Sequence, residues 1–280
     1  MENLREVLAR HGFSFKKQFG QNFISDTNLR ESIGDLAGVI KSTTALEIGC
    51  GAGTLTRALA AKAGRVIAYE VDRKLQPVLA ETLAGCENTE VVFRDFLRED
   101  LAALEASMPP YTVVANLPYY ITSPLITKFL DEAHTVQALV VMVQDDVAKR
   151  FCAREGTPEY GAITAAIARR ARAEIVKFVP RRMFYPVPNV DSAVVKLTFE
   201  EGRIPVRDAA TYRATVRAAF LSRRKTLENN LMQAFKLPRE AAQEVLRRAD
   251  VPDKARGETL SPQALAKLSD LLYERAQENR

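Results

Sequence analysis

Short apolar runs alternate with stretches of helical periodicity through the first 200 residues, and this alternation leaves few folds open. The runs Ala45–Gly49, Arg65–Glu70, Glu90–Arg94, Thr112–Ala115, Gln137–Val143, Ile175–Val179 and Ser192–Phe199 predict seven strands. Amphipathic stretches such as Leu55–Ala61, Lys74–Leu83 and Pro124–Ala133 separate the first five. Strands joined by helices run parallel, so the expectation is an α/β, Rossmann-like, doubly wound sheet. Only the Pro-rich stretch Pro180–Pro188 links the last two, which predicts an antiparallel pair at a sheet edge. From Asp208 onward the pattern is helical, and Ser261-Pro262 is a helix-start signal. The chain is therefore expected to divide into residues 1–202 and a small all-α part, 203–280.

Charge supports that division. Residues 1–202 carry 24 Lys/Arg against 25 Asp/Glu, whereas 203–280 carry 16 against 10. A basic appendix on a neutral body suits a polyanionic partner. The 280 residues are 47% hydrophobic, enough to bury a core. Cys50, Cys86 and Cys152 fit neither a disulfide framework nor a zinc spacing, and His11 and His134 are too few for a histidine metal site, so no metal is expected. No apolar run approaches the roughly 20 residues that span a bilayer. Met1–Arg10 lacks the apolar centre of a secretory signal, so a cytoplasmic protein is expected.

The first strand runs into Glu47-Ile-Gly49-Cys-Gly51-Ala-Gly53-Thr54. Glycines allow a tight strand-to-helix turn whose backbone approaches a ligand closely, although many purely structural turns carry them too. The second strand ends at Glu70, placed to accept hydrogen bonds from two ribose hydroxyls. After the third come Asp95, an acceptor for an adenine amino group, and Phe96 beside the ring. Successive strand ends form the rim where open α/β sheets bind ligands. A nicotinamide dinucleotide would account for the loop and Glu70, but the spacing is G-x-G-x-G rather than G-x-G-x-x-G.

The fourth strand discriminates. It ends in Asn116-Leu117-Pro118-Tyr119-Tyr120. The N6 amine of adenine is a poor nucleophile because its lone pair is delocalised into the ring. Acceptors aimed at its N–H groups favour a pyramidal nitrogen, and the Asn116 side-chain oxygen and Leu117 carbonyl can serve. Pro118 stiffens the loop, and Tyr119 offers a face for an extruded base. A sulfonium methyl is already activated, so no strong general base is needed.

This loop, following a G-x-G-x-G strand, resembles the rRNA adenine N6,N6-dimethyltransferases. Gln18-Phe-Gly-Gln-Asn22-Phe23 is similar to the family's N-terminal cofactor segment, Phe184-Tyr-Pro186-Val-Pro188-Asn-Val-Asp191-Ser-Ala-Val194 to its F-x-P-x-P-x-V-D-S-A-V motif, and Arg223-Arg-Lys-Thr-Leu227 to a segment of its helical domain. The likeness runs from about residue 16 to 270. It implies a class I methyltransferase sheet and S-adenosylmethionine as cofactor. It further implies that Asn22 and Ile24 line the cofactor site, Gly49 contacts the methionine part, Glu70 the ribose and Asp95 the adenine. Asn116 would touch both cofactor and target amine, and Phe184 would stack on the base opposite Tyr119. Cys50 and Tyr120 depart from many relatives, which carry proline and asparagine there.

From Arg203 to Lys225 there are seven basic residues and one acid, Asp208. On one continuous helix Arg213, Arg217 and Arg224 would share a face. With Arg223 and Lys225 they make a candidate phosphate-tracking patch, though a merely solvated face has the same composition. Arg169, Arg170, Arg172, Arg181 and Arg182 are candidates to extend it. Among family members the likeness favours the group that dimethylates two adjacent adenosines near the 3′ end of 16S rRNA during small-subunit maturation, with the ribosomal RNA as partner and a monomeric enzyme. The alternatives are a resistance-type methyltransferase of 23S rRNA and a non-catalytic assembly factor. A nicotinamide oxidoreductase is more distant.

Overall fold

The computed structural model describes residues 4–13 and 22–278, without the side chains of Arg5 and Tyr119. Seven strands form one sheet: β2 (Thr44–Ile48), β3 (Arg65–Tyr69), β4 (Thr89–Val92), β5 (Tyr111–Asn116), β6 (Val136–Gln144), β7 (Ala171–Val179) and β9 (Ser192–Phe199). Their order is β4-β3-β2-β5-β6-β9-β7. β2 to β6 pair in parallel, and β9 runs antiparallel to β6. A separate two-stranded pair joins β1 (Phe23–Ile24) to β8 (Phe184–Tyr185).

The central strands are buried on both faces, as parallel strands covered by helices must be. Thr44–Ile48 is buried throughout, and β6 exposes only Gln137 between its ends. Helices α1 (Leu4–Arg10), α2 (Thr27–Leu36), α3 (Thr54–Lys62), α4 (Gln76–Thr82), α5 (Leu101–Ala106) and α6 (Tyr119–Glu132) supply cover or connection. Leu55 and Leu59 of α3 pack with Ile33 of α2 and Val66 of β3 in one apolar cluster. The chain builds β2, β3 and β4 outward on one side, then returns to lay β5 against the other side of β2. That reversal creates a crevice beyond the strand ends at the β2/β5 switch point.

The seven expected strands are all present. The last two are neighbours at one edge, with β7 outermost. The chain separates into two compact units, one comprising residues up to Ala148 with Glu174–Phe199, the other Lys149–Ala173 with Glu200 onward. Residues 149–170, which precede β7, thus pack with the C-terminal helices rather than with the sheet, although they lie before residue 203. The reason is side-chain chemistry. Tyr160 donates to the Leu260 carbonyl at 2.9 Å, and Tyr212 donates to the Ala165 carbonyl at 3.0 Å. Both phenols are buried in one core with Leu231, Leu265 and Leu268.

The second unit contains α8 (Ala162–Arg170), α9 (Ala209–Ala219), α10 (Leu227–Phe235), α11 (Arg239–Arg248) and α12 (Pro262–Glu278); α7 (Asp145–Phe151) bridges the division in sequence. Asp208 caps α9 by accepting from Thr211 N–H at 2.6 Å, and Ser261 caps α12 by accepting from Ala264 N–H at 3.1 Å.

Candidate functional site

The sheet register brings the motifs together. Ile48 lies opposite Tyr69 on β3 and Ala115 on β5, so Gly49, Glu70 and Asn116 leave three adjacent strands at one level. Tyr69 lies opposite Val92, which brings the segment containing Asp95 to the same rim. One pocket is lined by all four, together with Asn22, Ile24, Gly51, Phe96, Leu117 and Pro118.

The glycine loop needs its glycines. Gly51 has φ 56° and Gly53 φ 78°, a region that L side chains rarely adopt. A Cβ at Gly51 would lie 2.5 Å from the Phe23 ring, so this loop also packs tightly against the N-terminal segment. Gly49 and Cys50 N–H both bond the Tyr69 carbonyl, at 2.9 and 3.0 Å, which ties the loop to β3.

Glu70 completes that tie. Its Oε2 accepts from Gly51 N–H, and its Oε1 from Val71 and Asp72 N–H, each at 2.8 Å. Burial pushes its pKa up while these donors hold it down. A carboxylate oxygen has two lone-pair sites, so Oε2 keeps one for a ligand hydroxyl. Beside it on β2 is Glu47, part of the glycine motif but given no role by its sequence context. Its side chain is 1% exposed, and its Oε2 has no hydrogen-bond partner. Burial raises its pKa to about 8, against a lowering by the Thr56 hydroxyl and with a further rise from Glu70. Only the structure, by burying it with one oxygen unpartnered and no cation beside it, distinguishes this acid.

Asp95 accepts from Leu97 N–H at 3.1 Å and keeps its side chain half exposed at the pocket. Phe96 differs from the expectation of a ring beside a bound base. Its ring is buried, edge-on to Tyr69 at 5.0 Å and stacked on Phe129 at 5.6 Å. The aromatic contacts with core neighbours leave mainly its edge and backbone for a ligand.

The Asn116 amide is oriented. Its Nδ2 donates to the Asn22 carbonyl at 2.9 Å, leaving Oδ1 as the acceptor for an incoming N–H. Asn22 is followed by β1, which is held by Arg30: the guanidinium donates to the Ile24 carbonyl at 3.2 Å and to Thr27 Oγ1 at 2.7 Å. Ile121 N–H closes on the Pro118 carbonyl at 3.1 Å, which leaves the Leu117 carbonyl outside the helical ladder of α6. Tyr120 is 61% exposed at the pocket. The side chain of Tyr119 and residues Gln18–Gln21 lie outside the described residues. Phe184 is not among the pocket's lining. Its ring is 3% exposed in the cluster with Ile24 and Leu29, because β8 pairs Phe184 with Ile24.

The basic residues separate into two kinds. α9 ends at Ala219, so Arg224 lies on the following turn, and the shared helical face expected for Arg213, Arg217 and Arg224 does not extend to it. Arg223 is an anchor: it donates to the Pro158 and Tyr160 carbonyls at 2.8 and 2.7 Å. Arg217, Arg224 and Lys225 are exposed, and Lys225 donates to Gln233 Oε1 at 3.1 Å. Of the residues considered as extensions, Arg169 sits over the Tyr212 ring at 5.7 Å. Among the described residues no His/Cys/Asp/Glu group could hold a metal ion, and no helix is long and apolar enough to cross a membrane.

Comparison with known proteins agrees with this geometry. The chain is 44% identical to a ribosomal RNA small subunit methyltransferase A from Geobacillus thermodenitrificans and 41% identical to one from Streptococcus gordonii. These alignments cover 96% of this chain and 94% and 95% of the relatives. A dimethyladenosine transferase structure from Plasmodium falciparum matches with a TM-score of 0.76 at 26% identity, over 91% of this chain and 97% of that one. The 23S rRNA methyltransferase ErmE matches with a TM-score of 0.66 at 30% identity, over 90% and 99%. Residues 12–273 match the family model for ribosomal RNA adenine dimethylases. A Rossmann-like sheet, a strand-end pocket with a ribose-type acid, and an oriented asparagine at its rim thus coincide with a nearly full-length match: the chain belongs to the S-adenosylmethionine-dependent ribosomal RNA adenine dimethylase family.

Proposed function

We propose that this protein transfers methyl groups from S-adenosylmethionine to N6 of two adjacent adenosines near the 3′ end of 16S rRNA, dimethylating both, during small-subunit biogenesis. The observation that supports it most is the Asn116 amide, oriented by the Asn22 carbonyl at the rim of the pocket. The pocket's chemistry fits the cofactor. Gly51 lets the loop backbone close onto Phe23 at the pocket wall, Glu70 retains an acceptor site for ribose, and Glu47 is a buried acid with one unpartnered oxygen, suited to a positive charge. Asn22, Ile24, Gly49, Asp95 and the Phe96 backbone would complete its binding.

The bound cofactor supplies an electrophilic methyl on a sulfonium and leaves as a neutral thioether. Asn116 Oδ1 and the Leu117 carbonyl would accept hydrogen bonds from the N6 hydrogens, two before the first transfer and one before the second, localising the lone pair on the attacking nitrogen. Acceptors fixed before reaction act without reorganisation, which is where their catalytic worth lies. The methylated amine then sheds a proton to water. Tyr119 would stack on the extruded base. Stacking by Phe184 requires its ring to leave the apolar cluster that now buries it.

In this reading residues 1–202 hold the catalytic site, and 203–280, packed with 149–170 in one helical unit, form an RNA-binding part. Arg213, Arg217, Arg224 and Lys225 would meet phosphates, while Arg223 mainly holds its turn. The protein would act as a monomer in the bacterial cytoplasm. The 41–44% identity to small-subunit enzymes over nearly the whole chain favours 16S over 23S rRNA. The test is incubation with methyl-labelled S-adenosylmethionine and isolated subunits lacking the modification. Label in small subunits and not in large ones supports the reading; the reverse pattern overturns it.

A further inference from the structure

Two glutamates line the cofactor pocket, and their environments differ sharply. Glu70 receives three backbone N–H groups. Glu47 lies inside β2, opposite Ala68 and Val114, almost wholly buried with Oε2 unpartnered. A buried carboxylate with an oxygen left without a donor and no cation beside it is costly, so such a group keeps its proton.

The neighbours offer one hydroxyl and no cation. The loop contributes Cys50, whose thiol burial holds well above its ordinary pKa and therefore neutral. The β3 end contributes Glu70 and Asp72, both acids. α3 contributes the Thr56 hydroxyl, and β5 contributes Val114 and the amide of Asn116. Beyond β4 stand Asp95 and Arg94, the latter paired with Glu99 at 3.1 Å and largely exposed. Among the lining residues no cation is committed to Glu47, so the charge that would ionise it must arrive with a ligand. S-adenosylmethionine brings a sulfonium as well as an ammonium, whereas the thioether product retains only the ammonium.

We propose that Glu47 is the counter-charge of the cofactor site: it releases its proton to water when the sulfonium cofactor binds, and takes one back when the neutral thioether product takes its place. The inference rests on the S-adenosylmethionine reading of the pocket. Its consequence is discrimination. A carboxylate beside a sulfonium is stabilised by that charge, and once the methyl is gone the ionised form loses its partner, so product is held less tightly than cofactor. Raised pH would favour cofactor over product, since the cofactor-bound state carries fewer protons.

The test is isothermal titration calorimetry of the full chain at about pH 6.5, below the raised range that burial imposes on such a carboxyl, in two buffers of different ionisation enthalpy, with S-adenosylmethionine and with S-adenosylhomocysteine. The expected result is release of close to one proton with the first and clearly fewer with the second. Wild-type affinity for S-adenosylmethionine should rise about tenfold per pH unit between about pH 5.5 and 7, as expected when binding expels one proton. Glu47→Gln should abolish both the release and the pH slope. Equal proton counts for the two ligands overturn the proposal from the wild-type data alone, even if the variant does not fold. Full release retained by a folded Glu47→Gln also overturns it and moves the titrating group to Glu70. Absence of binding by either ligand removes the cofactor reading itself, whereas binding without proton release removes only the role of Glu47.

Discussion

Asn116→Ala isolates the group to which the proposed chemistry owes most. The substitution removes two things that the structure separates. The Nδ2 bond to the Asn22 carbonyl, part-buried at 2.9 Å, is a stability contact worth about 1 kcal/mol. The Oδ1 acceptor is the transition-state contact, and preorganised groups of this kind contribute about 2.7–4 kcal/mol, a rate factor of roughly 100 to 1,000. The folded state should survive, because Asn116 ends β5 and is only half-buried, so its loss opens no large core cavity. Asn116→Asp keeps an acceptor but puts an oxygen against the Asn22 carbonyl, so its defect should include a displaced N-terminal segment and weaker cofactor binding. The assay is single-turnover methylation at saturating cofactor and RNA, with circular dichroism as the folding control. A folded Asn116→Ala protein with near wild-type turnover refutes the assignment of the amide acceptor.

Gly51→Ala should weaken S-adenosylmethionine binding by more than tenfold in calorimetry and lower the melting temperature. Its Cβ would meet Phe23 at 2.5 Å in a backbone conformation that carries about 1–3 kcal/mol of strain for other residues. Arg217→Ala combined with Arg224→Ala should flatten the log–log salt dependence of RNA binding by about 1 to 2, whereas Arg223→Ala should instead destabilise its helical unit by about 1–3 kcal/mol, by leaving the Pro158 and Tyr160 carbonyls without their donor. An unchanged salt slope in the double variant would remove those arginines from the RNA interface. The raised pKa of Glu47, from 4.5 to about 8, means that the folded ligand-free protein holds more protons than the unfolded chain between those values. Its stability should therefore decline as pH rises from about 5 to 8, and denaturant titrations of Glu47→Gln should show a shallower decline, with Glu70 supplying what remains.

Much of this architecture was legible in the sequence because parallel strands buried on both faces read as continuous apolar runs. The runs Thr112–Ala115 and Gln137–Val143 are of that kind, and in the structure they extend by a residue or so at each end to β5, Tyr111–Asn116, and β6, Val136–Gln144. The rim residues were legible for the same reason, since a strand end fixes where the next residue emerges. What the sequence could not show depends on distant partners. Residues 149–170 join the helical unit through the phenols of Tyr160 and Tyr212, and nothing local marks that choice. The helix expected to carry Arg224 stops at Ala219, where Gly257 packs so closely on the Ala219 carbonyl that a Cβ there would lie at 2.1 Å. Arg223 resembles its basic neighbours in composition and differs from them only by the two carbonyls that it reaches. Phe96 and Phe184 are aromatic residues in functional motifs, yet each ring is spent on core contacts.

The most direct test of the proposed activity is to map the product. Small subunits lacking the modification would be treated with the protein and S-adenosylmethionine, and the 16S rRNA digested and sequenced by mass spectrometry. The account predicts N6,N6-dimethyladenosine at two adjacent positions near the 3′ end, and at neither with Asn116→Ala. Methylation of a different base or at a different atom, or an unmodified 3′ end despite bound cofactor, would contradict it.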